Sequence, residues 1–129
     1  MYKRHLIGKY GEDVAERYLK QKGYNIVGRN FYCRQGEIDI IAENTEYLVF
    51  VEVKTRSNLL YGNPVNAVGK NKIKHMYKAS KYYLHIKKWE KRFVRFDVIE
   101  VYIEKGYARV NHILQIIWIT WNFNDFIVK

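Results

Sequence analysis

With 129 residues the chain is sized for one domain and one modest core, 1–129, and 48 % hydrophobic residues exclude a disordered chain. Lys and Arg number 23 against 13 Asp and Glu, a formal net charge of +10 that fits a polyanionic partner, most simply nucleic acid. The single Cys33 excludes an internal disulfide and suits a reducing, cytoplasmic compartment, and no apolar tract is long enough to span a membrane. Gly8, Lys9 and Gly11 to Asp13 interrupt any apolar core of a signal peptide near the first residues.

His5 to Lys22 reads as a helix with Val14, Ala15, Tyr18 and Leu19 as its apolar stripe. Gly8 and Gly11 fall on or beside that stripe and suggest a close backbone approach or an irregular first turn. Glu12 has two readings: an acid leaning over the following hairpin, or a favourable negative charge in a helix's first turn. Gly23 ends the helix, and Tyr24 to Arg34 reads as a first strand, irregular at Gly28 and Asn30.

Gly36 to Arg56 organises the rest. Two apolar runs, Ile38 to Ala42 and Leu48 to Val53, flank the short polar link Glu43-Asn44-Thr45-Glu46, which predicts a hairpin. Alternation puts Leu48, Phe50, Glu52 and Lys54 on one face of the second strand, and Glu37, Asp39 and Ile41 on one face of the first. A turn centred on Asn44-Thr45 places Asp39 opposite Phe50 and diagonal to Glu52; a one-step change of register places it directly opposite Glu52. In both registers two carboxylates can reach one cation. Adjacent anions on an apolar sheet are costly unless neutralised, and Mg²⁺, a hard ion served by one or two carboxylates plus water, answers that cost. Lys54 points at the same space, where it can orient or deprotonate an attacking water or stabilise charge on phosphorus. The alternative is a plain Lys54 ion pair to Glu52 or Asp39 at a sheet end, with no metal.

Ser57 to Gly69, with Gly62 and Pro64, reads as a loop placed to cover that hairpin end or simply to connect. Lys70 to about Lys88 reads as a second helix buried through Ile73, Met76, Tyr77, Ser80, Tyr83 and Leu84, with Lys74, Lys78, Lys81, His85 and Lys88 on another face. Lys70 to Arg92 holds nine basic residues and one acid, Glu90, a density suited to a phosphate backbone. Arg95 to Ile103 and Tyr107 to Val110 predict a second hairpin turning at Glu104-Lys105-Gly106; its Asp97 is read as a hydrogen-bond or ion-pair residue before a site acid. From His112 onward the aromatic tail fits a helix or a strand and can finish the core or form a dimer contact. The four histidines show no metal-ligand spacing.

Gly8-x-x-Gly11-Glu12, Arg29-Asn30, Arg34-x-Gly36-Glu37-Ile38-Asp39-Ile40-Ile41, Phe50-Val51-Glu52-Val53-Lys54-Thr55-Arg56, Lys72 and Arg95-Phe96-Asp97-Val98 together resemble the YraN-like family of small bacterial proteins of unestablished function. That family resembles the restriction-endonuclease-like fold of the PD-(D/E)xK nucleases, and within it the archaeal Holliday junction resolvases. The resemblance implies an α/β fold with a restriction-endonuclease-like core, a mixed central β-sheet flanked by helices. It implies Asp39 and Glu52 as metal-binding acids, Lys54 as the catalytic lysine, and Glu12 as the acid that the first helix contributes. Lys72 matches a basic residue of the helix after the motif, beside the acids or on phosphate, and Arg56 with Lys74, Lys78 and Lys81 completes the expected nucleic-acid contacts. Ile38 stands where many of these nucleases have proline, although many members lack that proline.

These expectations describe an Mg²⁺- or Mn²⁺-dependent endonuclease selective for branched DNA, favoured as a homodimer on a symmetric junction. A DNA-binding partner in recombination or repair that keeps the fold without cleaving, and a protein-interaction module whose charge reflects base composition, are the alternatives.

Overall fold

Neighbouring residues of the central strand part company. In the computed structural model, which describes residues 2–57, 70–88, 93–119 and 126–128, this strand is β3 (Tyr47–Ser57). Its Leu48 and Phe50 enter one core while Val49 and Val51 enter another. β3 sits in a five-stranded sheet with β1 (Asn25–Cys33), β2 (Gly36–Glu43), β4 (Phe93–Glu104) and β5 (Tyr107–Ile113), in spatial order β1-β2-β3-β4-β5. Only β3 and β4 run parallel, joined through helix α2 (Lys70–Lys87); the other neighbours are antiparallel.

A strand buried on both faces needs a helix on each. Helix α1 (Tyr2–Gln21) supplies Ala15 and Leu19 against Ile40, Ala42, Val49, Val51, Ile99 and Val101. Helix α2 supplies Ile73, Met76, Tyr77 and Tyr83 against Ile41, Leu48, Phe50, Phe96 and Val98, with the Phe50 and Phe96 rings stacked at 5.5 Å. The expected α/β class and mixed central sheet flanked by helices therefore hold, and the layout is consistent with a restriction-endonuclease-like core. Among the described residues no helix is long and apolar enough to cross a membrane.

The ends of these elements follow from local chemistry. Gly23 adopts φ 95°, Tyr24 N–H donates to Leu19 O at 3.0 Å and Gly23 N–H to Lys20 O at 3.1 Å, the paired bonds of a glycine-terminated helix. Helix α1 already begins at Tyr2, so Glu12 lies mid-helix and the first-turn reading of it does not apply. Gly11 does make a close approach: a Cβ there would overlap the side chain of Thr55 on β3, while Gly8 faces open space. Gly106, at φ 85°, turns β4 into β5 as expected.

The β2–β3 turn decides the register. Asn44 Oδ1 accepts the Glu46 and Tyr47 amides at 2.9 and 2.7 Å, and Asn44 N–H donates to Tyr47 O at 3.0 Å. This side-chain cap moves the turn centre to Thr45-Glu46 and pairs Ile40 with Val51. A centre at Asn44-Thr45, the first of the two registers considered, is thereby replaced by the second, with Asp39 level with Glu52.

On the α1 face Asp97, fully buried, gathers the inner end of the sheet. Its carboxylate accepts from Arg95 Nε at 3.0 Å and Nη2 at 2.9 Å, from His112 Nε2 at 2.7 Å and from Gln115 N–H at 3.0 Å. With Nε2 donating to Asp97, His112 Nδ1 is left to accept from the Tyr18 hydroxyl at 3.0 Å. Arg95 also contacts the Tyr24 hydroxyl and lies over the Tyr24 and Tyr47 rings at 5.6 and 5.0 Å. Asp97 thus takes the hydrogen-bond and ion-pair role expected of it. Beyond β5 the backbone forms strands β6 (Ile117–Ile119) and β7 (Phe126–Val128), paired antiparallel, which selects strand over helix for those parts of the tail. The expected covering loop beyond Ser57, and Glu90, Arg92 and Trp121, lie outside the described residues.

Candidate functional site

The regular alternation of β2 breaks around Asp39. Ile38 packs on the α2 side and Ile40 on the α1 side of the same strand pair that carries Ile41 back to α2. At this break the backbone ladder to β3 has ended at Ile40–Val51, and Asp39 Oδ2 accepts the Val53 N–H at 2.8 Å. The carboxylate thus takes an amide that a regular ladder would have given to a carbonyl. Glu52 follows Phe50 on the α2 face, so both acids are folded inward at one end of the sheet: Asp39 is 7 % and Glu52 4 % exposed.

Glu52 Oε2 is buried and has no hydrogen-bond partner among the described residues. The nearest cation among the described residues is Lys72 in the first turn of α2, whose Nζ lies 3.6 Å from Glu52 Oε2 and 3.7 Å from Glu37 Oε1. Burial, and next the charge of Asp39, push the Glu52 carboxyl up to about 8, against the opposing charges of Lys72 and Lys54. Burial also raises Asp39, opposed by the Val53 amide, with Glu12 adding a smaller push. Burial alone would lower Lys72, but the charges of Glu52, Asp39 and Glu37 outweigh it and hold the ammonium above its ordinary range.

This arrangement has a consequence for folding. A carboxyl raised from 4.5 to about 8 binds more protons folded than unfolded between those values, so stability falls as pH rises through that window. The Glu52 contribution amounts to a few kcal/mol. Glu52→Gln is expected to flatten the decline and to be more stable than the parent at pH 8, as measured by urea denaturation at several pH values; an unchanged pH slope would contradict it.

The other expected site residues are distributed unevenly. Lys54 is half-buried two residues beyond Glu52, level with Glu100 of β4, and has no ion-pair partner among the described residues. Glu12 pairs with Arg29 at 3.2 Å; the same guanidinium holds Asp13 at 2.7 Å and Glu16 at 3.4 Å. Glu12 therefore reaches Asp39 by its field, and among the described residues no three His, Cys, Asp or Glu side chains converge as a ligand set. Arg56 is tied to Glu100 at 3.1 Å, and Asn111 Nδ2 donates to the other Glu100 oxygen at 2.8 Å. Lys74, Lys78 and Lys81 stand exposed on α2, with His85 further along it and Lys88 just past its end.

Sequence reasoning missed the roles of Glu37 and Arg29. Alternation puts Glu37 on the face of Asp39, and only that spacing of two hints that it shares the site. Arg29 belongs to the Arg29-Asn30 motif, yet nothing in its neighbours announces three acids on a helix.

Two inward carboxylates with one oxygen left unsatisfied suit a hard divalent ion. Asp39 and Glu52 fit Mg²⁺ or Mn²⁺ as a two-carboxylate site that leaves the remaining positions to water and phosphate oxygens.

Comparison with known proteins gives a family match. The uncharacterised protein family UPF0102 matches residues 11–101, a span that includes Glu12, Asp39, Glu52, Lys54 and Lys72. A UPF0102 protein of Clostridium perfringens is 50 % identical over 95 residues, 74 % of this chain and 78 % of that protein. One from Syntrophomonas wolfei is 42 % identical over 111 residues, covering 84 % and 94 % respectively. One from Clostridium acetobutylicum is 51 % identical over 94 residues, covering 73 % and 77 %.

Proposed function

The chain belongs to the uncharacterised protein family UPF0102, and we propose that it is a metal-dependent, structure-selective DNA endonuclease of the Holliday junction resolvase kind. The observation that carries this reading is the inward pair Asp39 and Glu52 with an unsatisfied Glu52 oxygen at the end of β2 and β3. Buried like charges cost stability, and an apolar side chain would pack there at less cost, so the pair calls for a ligand.

Asp39 and Glu52 would hold Mg²⁺ or Mn²⁺. The chemistry such an ion would supply there is polarisation of the scissile phosphate and a more acidic water. Lys54, on the face of Glu52 and without an ion-pair partner among the described residues, is available to the charge that develops on phosphate. Lys74, Lys78 and Lys81 take the backbone at non-reacting positions, while Arg56 meets phosphate only by sharing its contact with Glu100. The exposed lysine row carries no base-reading arrangement, which favours recognition of DNA shape over sequence, and a symmetric junction favours two copies of the chain.

Binding tests the nucleic-acid half of this reading independently of cleavage. Affinity for a labelled four-way junction, followed by anisotropy, is expected to fall steeply with salt. The Lys74/Lys78/Lys81→Ala variant is expected to bind at least about tenfold more weakly, with a salt slope shallower by roughly three. Equal affinity and slope in the variant would remove the lysine row from the interface.

The Arg29 pairing of Glu12 favours a second reading, since it leaves the site with two acids: a DNA-binding partner in recombination or repair that keeps the fold and does not cut. That reading predicts junction binding with no product in either metal.

A further inference from the structure

Lys72 occupies an unusual place. It sits in the first turn of α2, which contains no acidic residue. A helix N-terminus carries partial positive charge and disfavours a cation, so something outside the helix must hold the ammonium there. That something is acidic on both sides: Glu52 Oε2 at 3.6 Å toward the interior and Glu37 Oε1 at 3.7 Å toward solvent. Both distances are ion-pair contacts without a hydrogen bond, so Lys72 neutralises Glu52 without satisfying its oxygen. The side chains grade outward, from Glu52 at 6 % exposed through Lys72 at 34 % to Glu37 at 43 %.

We infer that Lys72 is a resident counter-ion of the Asp39–Glu52 pair, which a divalent cation displaces toward Glu37 on entering the site. The inference rests on the proposed function only in taking the acid pair as a metal site. Lys72 is on this account a positioning residue whose ammonium holds the place beside Glu52 before metal arrives. It lowers metal affinity in the process, because a divalent ion entering beside Glu52 meets the repulsion of an ammonium 3.6 Å from the same carboxylate oxygen. Glu37 gives the displaced ammonium a partner within reach, so the exchange needs a side-chain movement and no rearrangement of α2.

Calorimetric titration with Mn²⁺ alone, on the full chain, tests this. Lys72→Met is expected to bind Mn²⁺ roughly tenfold more tightly than the parent, to melt at lower temperature in EDTA, and to show the larger rise in melting temperature on adding Mn²⁺. Lys72→Gln carries the same expectation and guards against misfolding of the Met variant. Lys72→Arg, whose planar fork holds a carboxylate better, is expected to bind Mn²⁺ more weakly than the parent. Lys105→Met, an equal loss of charge at the exposed β4–β5 turn, should match the parent. Clear Mn²⁺ binding that is unchanged or weakened in both Lys72→Met and Lys72→Gln would overturn the counter-ion role and leave the metal site standing. No Mn²⁺ binding in the parent or any variant would overturn both.

Discussion

Replacing Asp97 by Ala is expected to cost about 3–5 kcal/mol of folding stability, the loss typical of breaking a buried ion pair from one side. The carboxylate is fully buried and accepts from Arg95, His112 and the Gln115 amide. Without it the Arg95 guanidinium, 8 % exposed, keeps only the Tyr24 hydroxyl and two aromatic rings, and the Gln115 N–H loses its acceptor. Burial alone would raise Asp97, but the bonds from His112, Arg95 and Gln115 outweigh it and hold the carboxyl below its ordinary 3.8. Its contribution is therefore complete above pH 3.8 and is lost as the pH falls through the lower folded value. Guanidinium denaturation of parent and variant at neutral pH measures the effect, and a loss below about 1 kcal/mol would show that the network is dispensable.

Asp39→Asn is expected to have the opposite profile, with cleavage lowered at least about a hundredfold and stability maintained or increased. The amide oxygen can still accept the Val53 N–H that Asp39 Oδ2 accepts at 2.8 Å. What disappears is one of two buried carboxylates, whose charge adds to burial in raising Glu52. A variant that folds as well as the parent and fails to cut separates the chemistry from the fold. A variant that loses several kcal/mol would mean that the Asp39 charge is structural. Full cleavage by a folded variant would remove Asp39 from the reaction.

Much of this architecture is legible where the signal is local. Alternation in Leu48 to Val53 announced a two-faced strand, Gly23 and Gly106 marked a helix end and a hairpin turn, and the lysine spacing on α2 gave its exposed face. The register was legible only as two options, because the choice lies with the Asn44 side chain, which caps the turn and shifts its centre by one residue. Partners distant in sequence were not legible. Arg29 meets Glu12 at a separation of 17, and His112 meets Tyr18 at a separation of 94; neither pair leaves a pattern in its neighbours. Glu12 shows the limit most clearly. Its position beside Gly11 was informative, since α1 presses on Thr55 there, yet its pairing depends on a strand whose placement the helix cannot announce. The choice of Lys72 over Lys54 as the cation nearest Glu52 likewise depends on how α2 lies across the sheet.

The most direct measurement is cleavage of labelled four-way junction, flap and linear duplex DNA in Mg²⁺, Mn²⁺ or EDTA, by the parent chain beside Asp39→Asn and Lys54→Ala. The proposed function predicts product on branched DNA, in metal only, from the parent and from neither variant. Binding of the junction with no product in either metal, or product undiminished in Asp39→Asn, would contradict it.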